Sequence, residues 1–227
     1  GFFRTEKYEG KWWLVDPDGK LFWAHGMDCV RSGDYTPTDD RKTWFQDFPG
    51  DKPEFQEFWG VQGHVVNGYY AGKQPKVFNF TNANLKRKYG DSWRDLSAQQ
   101  AHRRLASWGM NTIANWSDQN VYLLRQTPYT VAAGSGGKSI AGSTGYWGQF
   151  RDVFDPGFKE ATQKRMAQEV GKSAGDPWCL GYFVDNELSW GDDTSLALAA
   201  LQSPADQAAK IVFVNDLKAK YDTIDKL

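Results

Sequence analysis

The stretch WCLGYFVDNELSW, residues 178–190, combines the clearest strand pattern of the chain with its most suggestive group of polar residues. Residues 179–184 form a short apolar run, which indicates a strand buried on both faces in a parallel sheet. The run ends at Asp185, Asn186 and Glu187. Polar side chains at the carboxyl end of a buried strand lie where α/β barrels place reactive groups, although a strand end that merely meets solvent would look the same.

Composition narrows the possible functions. The 227 residues carry a formal net charge of −1, from 27 basic and 28 acidic side chains, which gives no electrostatic case for binding nucleic acid or an anionic membrane. No apolar segment approaches the roughly 18 residues that span a bilayer. The chain begins at Gly1 with no signal-like segment, so we expect a processed or excised piece. Aromatic residues make up 15% of the chain, a mild pointer to carbohydrate because rings stack on sugar faces.

Metal, cofactor and nucleotide sites have no support in the sequence. There are two cysteines, Cys29 and Cys179, and we expect buried free thiols near the ends of two core strands. The three histidines lie far apart along the chain, and no motif with metal-ligand or phosphate-loop spacing is present. The sequence therefore predicts neither a metal nor a cofactor.

The first part of the chain predicts a hairpin followed by a core strand. Residues 11–15 and 20–23 are apolar runs separated by Asp16-Pro17-Asp18-Gly19, a sequence typical of a tight turn. The return strand continues into residues 22–30, which we interpret as the first core strand.

Residues 31–95 show no sustained periodicity and read as a long, aromatic-rich loop insertion. Short helices at about 53–59 and 82–89 fit the pattern, the second ending at Gly90. A connection of this length is unusual in a compact domain unless it is functional. Disorder is a poor alternative because so many aromatic side chains require burial.

Helical and strand signals alternate after residue 96. Ser97 is predicted to cap a helix with the inner face Ala101, Leu105 and Trp108, ending at Gly109. The next predicted elements are a strand at 110–114, a short helix at about 118–125, a strand at 127–133 and a glycine-rich loop at 134–147. A helix is then predicted to start at Asp155-Pro156, with the inner face Phe158, Thr162, Met166 and Val170, and the strand at 179–184 follows it. After a polar loop, the last predicted helix is capped by Ser203-Pro204-Ala205-Asp206 and reaches about Tyr221.

This order predicts an α/β fold with a parallel sheet and right-handed crossovers. Four βα units are about half of a (β/α)8 TIM barrel, so we expect a partial barrel preceded by the hairpin. A four-stranded doubly wound domain is the alternative. It would normally carry a glycine-rich phosphate turn after its first strand, and residues 26–30 do not supply one.

The barrel interpretation brings one carboxylate, several amides and a group of indoles to the carboxyl ends of the strands. That set suits a sugar site, because the carboxyl exchanges a proton at the glycosidic oxygen, amides bind hydroxyls and rings stack on sugar faces. The candidates are His25 and Asp28 after the first strand, Asn115 and Trp116 after the second, residues just after Ala133, Asn186 and Glu187 after the fourth, and Tyr146, Trp147 and Trp190 from adjoining loops. Asp28 and Asp185 are weaker candidates that would more often be local caps.

Four segments resemble the β-agarases of glycoside hydrolase family 50. They are GFF…KWWLVDPDGKLF at the start, LASWGMNTIANWSD (residues 105–118), IAGSTGYWGQFRDVFDP (140–156) and LGYFVDNELSWG (180–191). The resemblance implies a retaining hydrolase of clan A that cleaves β-1,4 bonds of agarose to neoagaro-oligosaccharides. It also implies Glu187 as the general acid/base, Asn186 as a substrate amide, and a secreted or periplasmic bacterial location.

The chain departs from that pattern in one respect. Such enzymes take a nucleophilic Glu from the seventh strand, and none of the other six glutamates closes a strand that can be placed beside Glu187. We therefore expect residues 1–227 to be the N-terminal half of a catalytic domain, with the nucleophile elsewhere, and the chain alone to be inactive. A non-catalytic carbohydrate-binding half-domain and a retaining hydrolase of another galactan or glucan remain as alternatives.

Overall fold

In a computed structural model, residues 1–63, 65, 68–145 and 148–227 are described. The chain divides into two compact units. Unit 1 consists of Gly1–Thr5, Val15–Lys20 and Thr130–Leu227, and unit 2 consists of Glu6–Leu14 and Leu21–Tyr129.

The described residues form ten strands and six α-helices. The strands are β1 (Arg4–Tyr8), β2 (Lys11–Val15), β3 (Leu21–Phe22), β4 (Gly26–Met27), β5 (Thr36–Pro37), β6 (Trp59–Val61), β7 (Lys76–Phe78), β8 (Thr112–Ile113), β9 (Tyr129–Ala133) and β10 (Cys179–Val184). The helices are α1 (Phe80–Tyr89), α2 (Trp93–Ser107), α3 (Gln119–Tyr122), α4 (Pro156–Ala167), α5 (Ser195–Gln202) and α6 (Ala208–Tyr221).

The predicted hairpin is confirmed. Strands β1, β2 and β3 form a three-stranded sheet in that order, with β1 as an additional strand that the sequence pattern did not reveal. In the turn before β3, the carboxylate of Asp16 accepts hydrogen bonds from the backbone N–H groups of Asp18 and Lys20 at 3.0 and 2.9 Å. Gly19 has φ +86°, a conformation that glycine adopts without a steric penalty.

Unit 2 contains parallel strand pairing. β4 and β8 are parallel, with Gly26 opposite Thr112 and Met27 opposite Ile113, and Ile113 is also paired with Tyr129 at the start of β9. A Cβ on Gly26 would lie 1.9 Å from the carbonyl oxygen of Thr112, so the close approach of the two backbones requires glycine. The expected strand at 22–30 is thus confirmed only as a two-residue ladder.

Residues 31–95 carry secondary structure and a core of their own. Strands β5, β7 and β6 form an antiparallel sheet, and a 3-10 helix occupies Pro53–Phe58. The buried residues Phe55, Phe58, Phe78, Ala83 and Trp93 form one hydrophobic cluster. The Phe58 ring packs edge-to-face on Phe78 and Trp93. The aromatic residues of this insertion therefore serve mainly to build its core.

Two predictions for α2 are wrong. The helix begins at Trp93 rather than Ser97, whose hydroxyl donates to the carbonyl of Arg94 inside the first turn. Trp93 is buried, and this burial explains the earlier start. Trp108 is 58% exposed, and the buried face consists of Ala98, His102 and Leu105. The His102 ring is satisfied by Thr127 and the carbonyl of Val121.

In unit 1, β10 is the hydrogen-bonded neighbour of β9. The prediction that β10 is buried on both faces is wrong, because its first four residues are half-buried and Phe183 and Val184 are 55% and 57% exposed. Tyr182 packs toward Ser173, with the two hydroxyl oxygens 3.0 Å apart. In the described part of the chain, the side chains beyond Tyr182 lack comparable cover. The exposed end of β10 is the end that carries Asp185, Asn186 and Glu187.

The helices of unit 1 differ from the prediction at three points. α4 begins as expected, with the carboxylate of Asp155 accepting from the N–H of Gly157, but it ends at Ala167 and leaves Val170 73% exposed. The predicted polar loop contains α5, and Ser203 ends that helix instead of capping the next one. α6 begins at Ala208, where the buried carboxylate of Asp152 accepts from the N–H of Ala209 at 3.0 Å. A carboxylate at a helix amino terminus is stabilised by the helix dipole.

Both cysteines are free. Cys29 is exposed and Cys179 is half-buried, so the expectation of buried thiols is wrong for Cys29. Burial raises the pKa of the Cys179 thiol. None of the helices in the described ranges has the length and apolar character that a bilayer span requires. Within the same ranges, no three His, Cys, Asp or Glu side chains cluster in a way that could hold a metal ion.

Candidate functional site

The carboxyl end of β10 leads into a turn of unusual backbone conformation. Asp185 has φ +59° and Glu187 has φ +48°, both in the left-handed region. Non-glycine residues seldom adopt this region, and such strain concentrates at functional sites. Asn186 and Glu187 are both exposed. The turn therefore presents the predicted acid/base Glu187 and the predicted substrate amide Asn186 to solvent, on a backbone that needs support from its surroundings.

Asp185 supplies part of that support. Its backbone N–H donates to the carbonyl of Ala133 at 2.7 Å, and its carboxylate Oδ1 accepts from the N–H of Ser135, also at 2.7 Å. Between these two contacts lies Gly134, where a Cβ would stand 3.8 Å from the same carboxylate oxygen. Asp185 thus connects the end of β10 to both sides of the residue that follows β9.

The segment after Glu187 packs against the glycine-rich loop. A Cβ on Gly145 would lie 1.9 Å from the hydroxyl oxygen of Ser189, so only glycine fits where the loop passes this serine. Trp190 is 59% exposed and its ring contacts Phe150 edge-to-face, with ring centroids 4.7 Å apart. One part of the indole is thereby held while the rest remains accessible. The two loop residues Tyr146 and Trp147, predicted to bind substrate, lie outside the described residues.

The segment that follows Trp190 is joined to the start of α5 by hydrogen bonds of Asp192. Its carboxylate Oδ1 accepts from the hydroxyl of Ser195 at 2.8 Å and from the N–H and hydroxyl of Thr194 at 2.9 Å. In return the hydroxyl of Ser195 accepts from the N–H of Asp192 at 2.9 Å, a reciprocal arrangement of the capping-box type. The Ser195 hydrogen bond, followed by those of Thr194, lowers the pKa of Asp192 to about 2.

We expect the Asp192 carboxyl to titrate with a midpoint near pH 2, well below the ordinary value of 3.8. Since its pKa is depressed, the capping contribution is present above the ordinary pKa and is lost as the pH falls through about 2. Carboxyl chemical shifts in an NMR titration measure this midpoint directly. Ser195→Ala removes the strongest donor and should move the midpoint upward. A midpoint near 3.8 for Asp192 would contradict the capping geometry.

A buried ionic network lies against β10. The guanidinium of Arg165 donates to one carboxylate oxygen of Glu169 at 2.9 Å, and the hydroxyl of Ser173 donates to the other at 2.7 Å. Ser173 in turn contacts the hydroxyl of Tyr182 on β10. Burial alone would raise the pKa of Glu169, but the hydrogen bonds from Ser173 and Arg165 outweigh it and hold the pKa below its usual value. Glu169 is therefore a charged, fully paired residue.

In unit 2, Asn115 and Trp116 follow β8, as predicted. The backbone carbonyl of Asn115 accepts a hydrogen bond from the N–H of Cys29 at 2.8 Å. Asn115 itself is only 6% exposed. Trp116 has φ +59° and is 44% exposed. Left-handed backbone also occurs at Cys29, directly across from Asn115. The carboxyl ends of β4 and β8 thus show the same strained geometry as the end of β10.

The expected position of His25 at the carboxyl end of the first strand is wrong. His25 precedes β4, and its backbone exchanges hydrogen bonds with Asn111, which precedes β8. Because parallel strands run in the same direction, His25 lies at the amino end of this ladder, at the edge opposite Asn115. Asp28 does follow β4 and is exposed.

The predicted site residues are therefore distributed as follows. Asn186, Glu187 and Trp190 lie in one loop of unit 1, and Asn115 and Trp116 lie in one loop of unit 2. The sequence pattern did not reveal the left-handed backbone of Glu187, the contact between Trp190 and Phe150, or the capping role of Asp192. A D-x-x-S sequence at 192–195 is the signal from which the cap could have been inferred.

The chain is similar to proteins described as β-agarases. It is 36% identical over 264 residues to Beta-agarase B of Vibrio sp. (strain JT0107), a match that covers 100% of this chain and 27% of that protein. It is similar to a solved exo-β-agarase with a TM-score of 0.85 and 28% identity, covering 100% of this chain and 38% of that one. The solved structure of PfGH50B gives a TM-score of 0.86 and 27% identity, covering 100% and 36%. No family model matches the sequence.

These matches cover the whole chain but only part of each relative. The chain spans 27% of the agarase from Vibrio and 36% to 38% of the two solved chains. The resemblance indicated by the sequence motifs is thereby confirmed along all 227 residues. What the relatives do as whole proteins applies to this chain only as a proposal.

Proposed function

We propose, from the premise that this chain is one segment of a family 50 β-agarase, that the protein containing it hydrolyses β-1,4 linkages of agarose. The observation that carries the proposal is the Asn186-Glu187 pair, exposed directly after β10, in a chain 36% identical to a β-agarase over its whole length. The products expected of such an activity are neoagaro-oligosaccharides.

In the proposed mechanism, Glu187 acts as general acid/base. It donates a proton to the glycosidic oxygen as the bond breaks, and it later takes a proton from the attacking water. Asn186 binds a sugar hydroxyl beside it, and Trp190 offers its exposed ring to a sugar face. The exposure of all three side chains supports these roles.

Residues Asn115 and Trp116 of unit 2 are proposed as further substrate contacts. Trp116 is the stronger of the two, because nearly half of its surface is accessible and a strained backbone fixes its position. Asn115 is almost fully buried, which is equally suited to a supporting role in the loop. We leave His25 out of the proposed site because it lies at the amino end of the β4–β8 ladder.

The proposed fold is the first part of a (β/α)8 barrel, and the proposed second carboxylate lies outside these 227 residues. Retention needs a carboxylate about 5–5.5 Å from the acid/base. Two of the remaining glutamates are engaged elsewhere, since Glu169 is buried with Arg165 and Glu57 is paired with Lys86 and Arg94. We therefore expect residues 1–227 alone to show no hydrolysis. A secreted or periplasmic location accords with a polymeric substrate.

A product assay on the full-length protein tests this proposal. We expect release of neoagaro-oligosaccharides from agarose, and at least tenfold slower release of sugars from a mixed-linkage β-glucan or from porphyran. Comparable hydrolysis of β-glucan or porphyran would assign the same mechanism to another polysaccharide. Binding of agarose without any product would favour a non-catalytic carbohydrate-binding role and overturn the enzymatic one.

A further inference from the structure

We infer that Asp185 is a positioning residue, whose carboxylate holds the Asn186-Glu187 turn in its reactive geometry by binding the N–H of Ser135. This inference rests on the proposed role of Glu187. Asp185 is not proposed to touch substrate. Its contribution is to fix the backbone from which the two neighbouring side chains project.

Asp185 lies where the chain leaves the end of the two neighbouring strands β9 and β10. The N–H of Asp185 donates to the carbonyl of Ala133 and continues the contact between β9 and β10 by one residue. The chain then leaves the sheet through the left-handed conformation of Asp185. The carboxylate folds back over Gly134 and accepts from the N–H of Ser135 at 2.7 Å. One residue therefore forms hydrogen bonds on both sides of Gly134.

This pair of hydrogen bonds opposes the relaxation of a strained turn. Asp185 and Glu187 are two strained residues within a three-residue turn, and strain of this kind persists only where the surrounding structure enforces it. Asn186 and Glu187 are both exposed. The short hydrogen bond from the Ser135 N–H to the side-chain oxygen of Asp185, at 2.7 Å, is a contact suited to enforcing the turn.

The identity of the residue at position 185 is restricted by two requirements. Position 185 must accept a hydrogen bond with a short side chain and also tolerate a left-handed backbone. Aspartate and asparagine satisfy both requirements, glycine satisfies the second alone, and alanine satisfies neither. Three substitutions at this position therefore separate the acceptor from the backbone conformation.

The test uses Asp185→Asn, Asp185→Gly and Asp185→Ala in the full-length protein, with Asp193→Ala as a matched control at an exposed aspartate of the same loop. We expect Asp185→Asn to keep kcat on an agaro-oligosaccharide within about fivefold of wild type. Asp185→Gly and Asp185→Ala should lose roughly 10²-fold in kcat, because a displacement of about 1 Å at a reacting group has effects of that size. KM and Tm should change little in all four variants.

Hydrogen exchange provides a measurement that does not depend on catalysis. The peptide containing Ser135 should lose protection in the glycine and alanine variants and keep it in the asparagine variant. A variant without the acceptor that retains wild-type kcat would overturn the inference, whatever the exchange result. An asparagine variant as impaired as alanine would also overturn it, since the charge and not the hydrogen bond would then be responsible. Absence of agarose hydrolysis in the wild-type protein would instead overturn the proposed function, a distinguishable result.

Discussion

Glu187→Gln should lower kcat on agaro-oligosaccharides by about 10²–10⁴-fold in the full-length protein, the range that one positioned proton donor contributes. Glutamine preserves the size of the side chain and its hydrogen-bonding oxygen, but its amide cannot supply the proton that the leaving alcohol needs. Glu187 is exposed, so the substitution should leave the unfolding transition close to that of wild type. Initial-rate kinetics together with a thermal melt separate the two effects.

The matched control is Glu160→Gln, an exposed glutamate on α4 in the same unit, which should retain wild-type kcat. A second measurement identifies the role more closely. An aryl glycoside whose phenol is a good leaving group needs little protonation, so Glu187→Gln should impair its cleavage less than that of the natural linkage. Undiminished turnover of agaro-oligosaccharides by Glu187→Gln would remove Glu187 from the mechanism.

The sequence was sufficient to locate the site because the relevant signals are local. An apolar run followed by Asp185, Asn186 and Glu187 identifies a strand and its end without knowledge of the rest of the fold. The same holds for the hairpin turn at Asp16 and for the start of α4 at Asp155, where a single side chain satisfies backbone N–H groups. These turns and caps were predicted correctly because they depend on neighbouring residues, whereas the caps predicted at Ser97 and Ser203 were wrong.

Burial was predicted poorly because it depends on residues distant in sequence. Phe183 and Val184 are as apolar as any core residue, yet both are more than half exposed. Trp93 is buried against Phe58, which lies 35 positions earlier, and this contact sets the start of α2. No periodicity within the helix could reveal such a contact. The aromatic residues of 31–95 were expected to need burial, and many of them do form a core, but the sequence did not show which ones pack together.

Backbone strain is also invisible in the sequence at the positions that matter. A glycine in a sequence indicates that a left-handed conformation is possible there. Cys29, Trp116, Asp185 and Glu187 adopt this conformation without any such signal in the sequence. All four follow strands, and each of them adjoins or is a predicted candidate residue. This recurrence is an independent physical indication that strand ends in both units are held in special geometries, and it agrees with the site inferred from residue types.

Glu169→Ala should lower the free energy of unfolding by about 2–4 kcal/mol, somewhat below the roughly 3–5 kcal/mol typical of breaking a fully buried ion pair. The carboxylate of Glu169 is 6% exposed, whereas its partner Arg165 keeps 29% exposure and can regain water once the carboxylate is gone. The hydroxyl of Ser173 also loses its acceptor. Urea unfolding of the full-length protein, followed by tryptophan fluorescence, measures the change. Glu160→Ala, at an exposed glutamate on α4, is the control and should be nearly neutral.

The pH dependence of this difference tests its electrostatic origin. Because the folded-state pKa of Glu169 is depressed, its stabilisation is fully present above the ordinary value of 4.5 and is lost as the pH falls through the folded-state pKa. The gap between wild type and Glu169→Ala should therefore be constant from about pH 6 to 8 and should narrow below 4.5. A gap that does not change with pH would indicate that the lost side chain acted through packing alone. The network would then support β10 through the contact between Ser173 and Tyr182, without its charge.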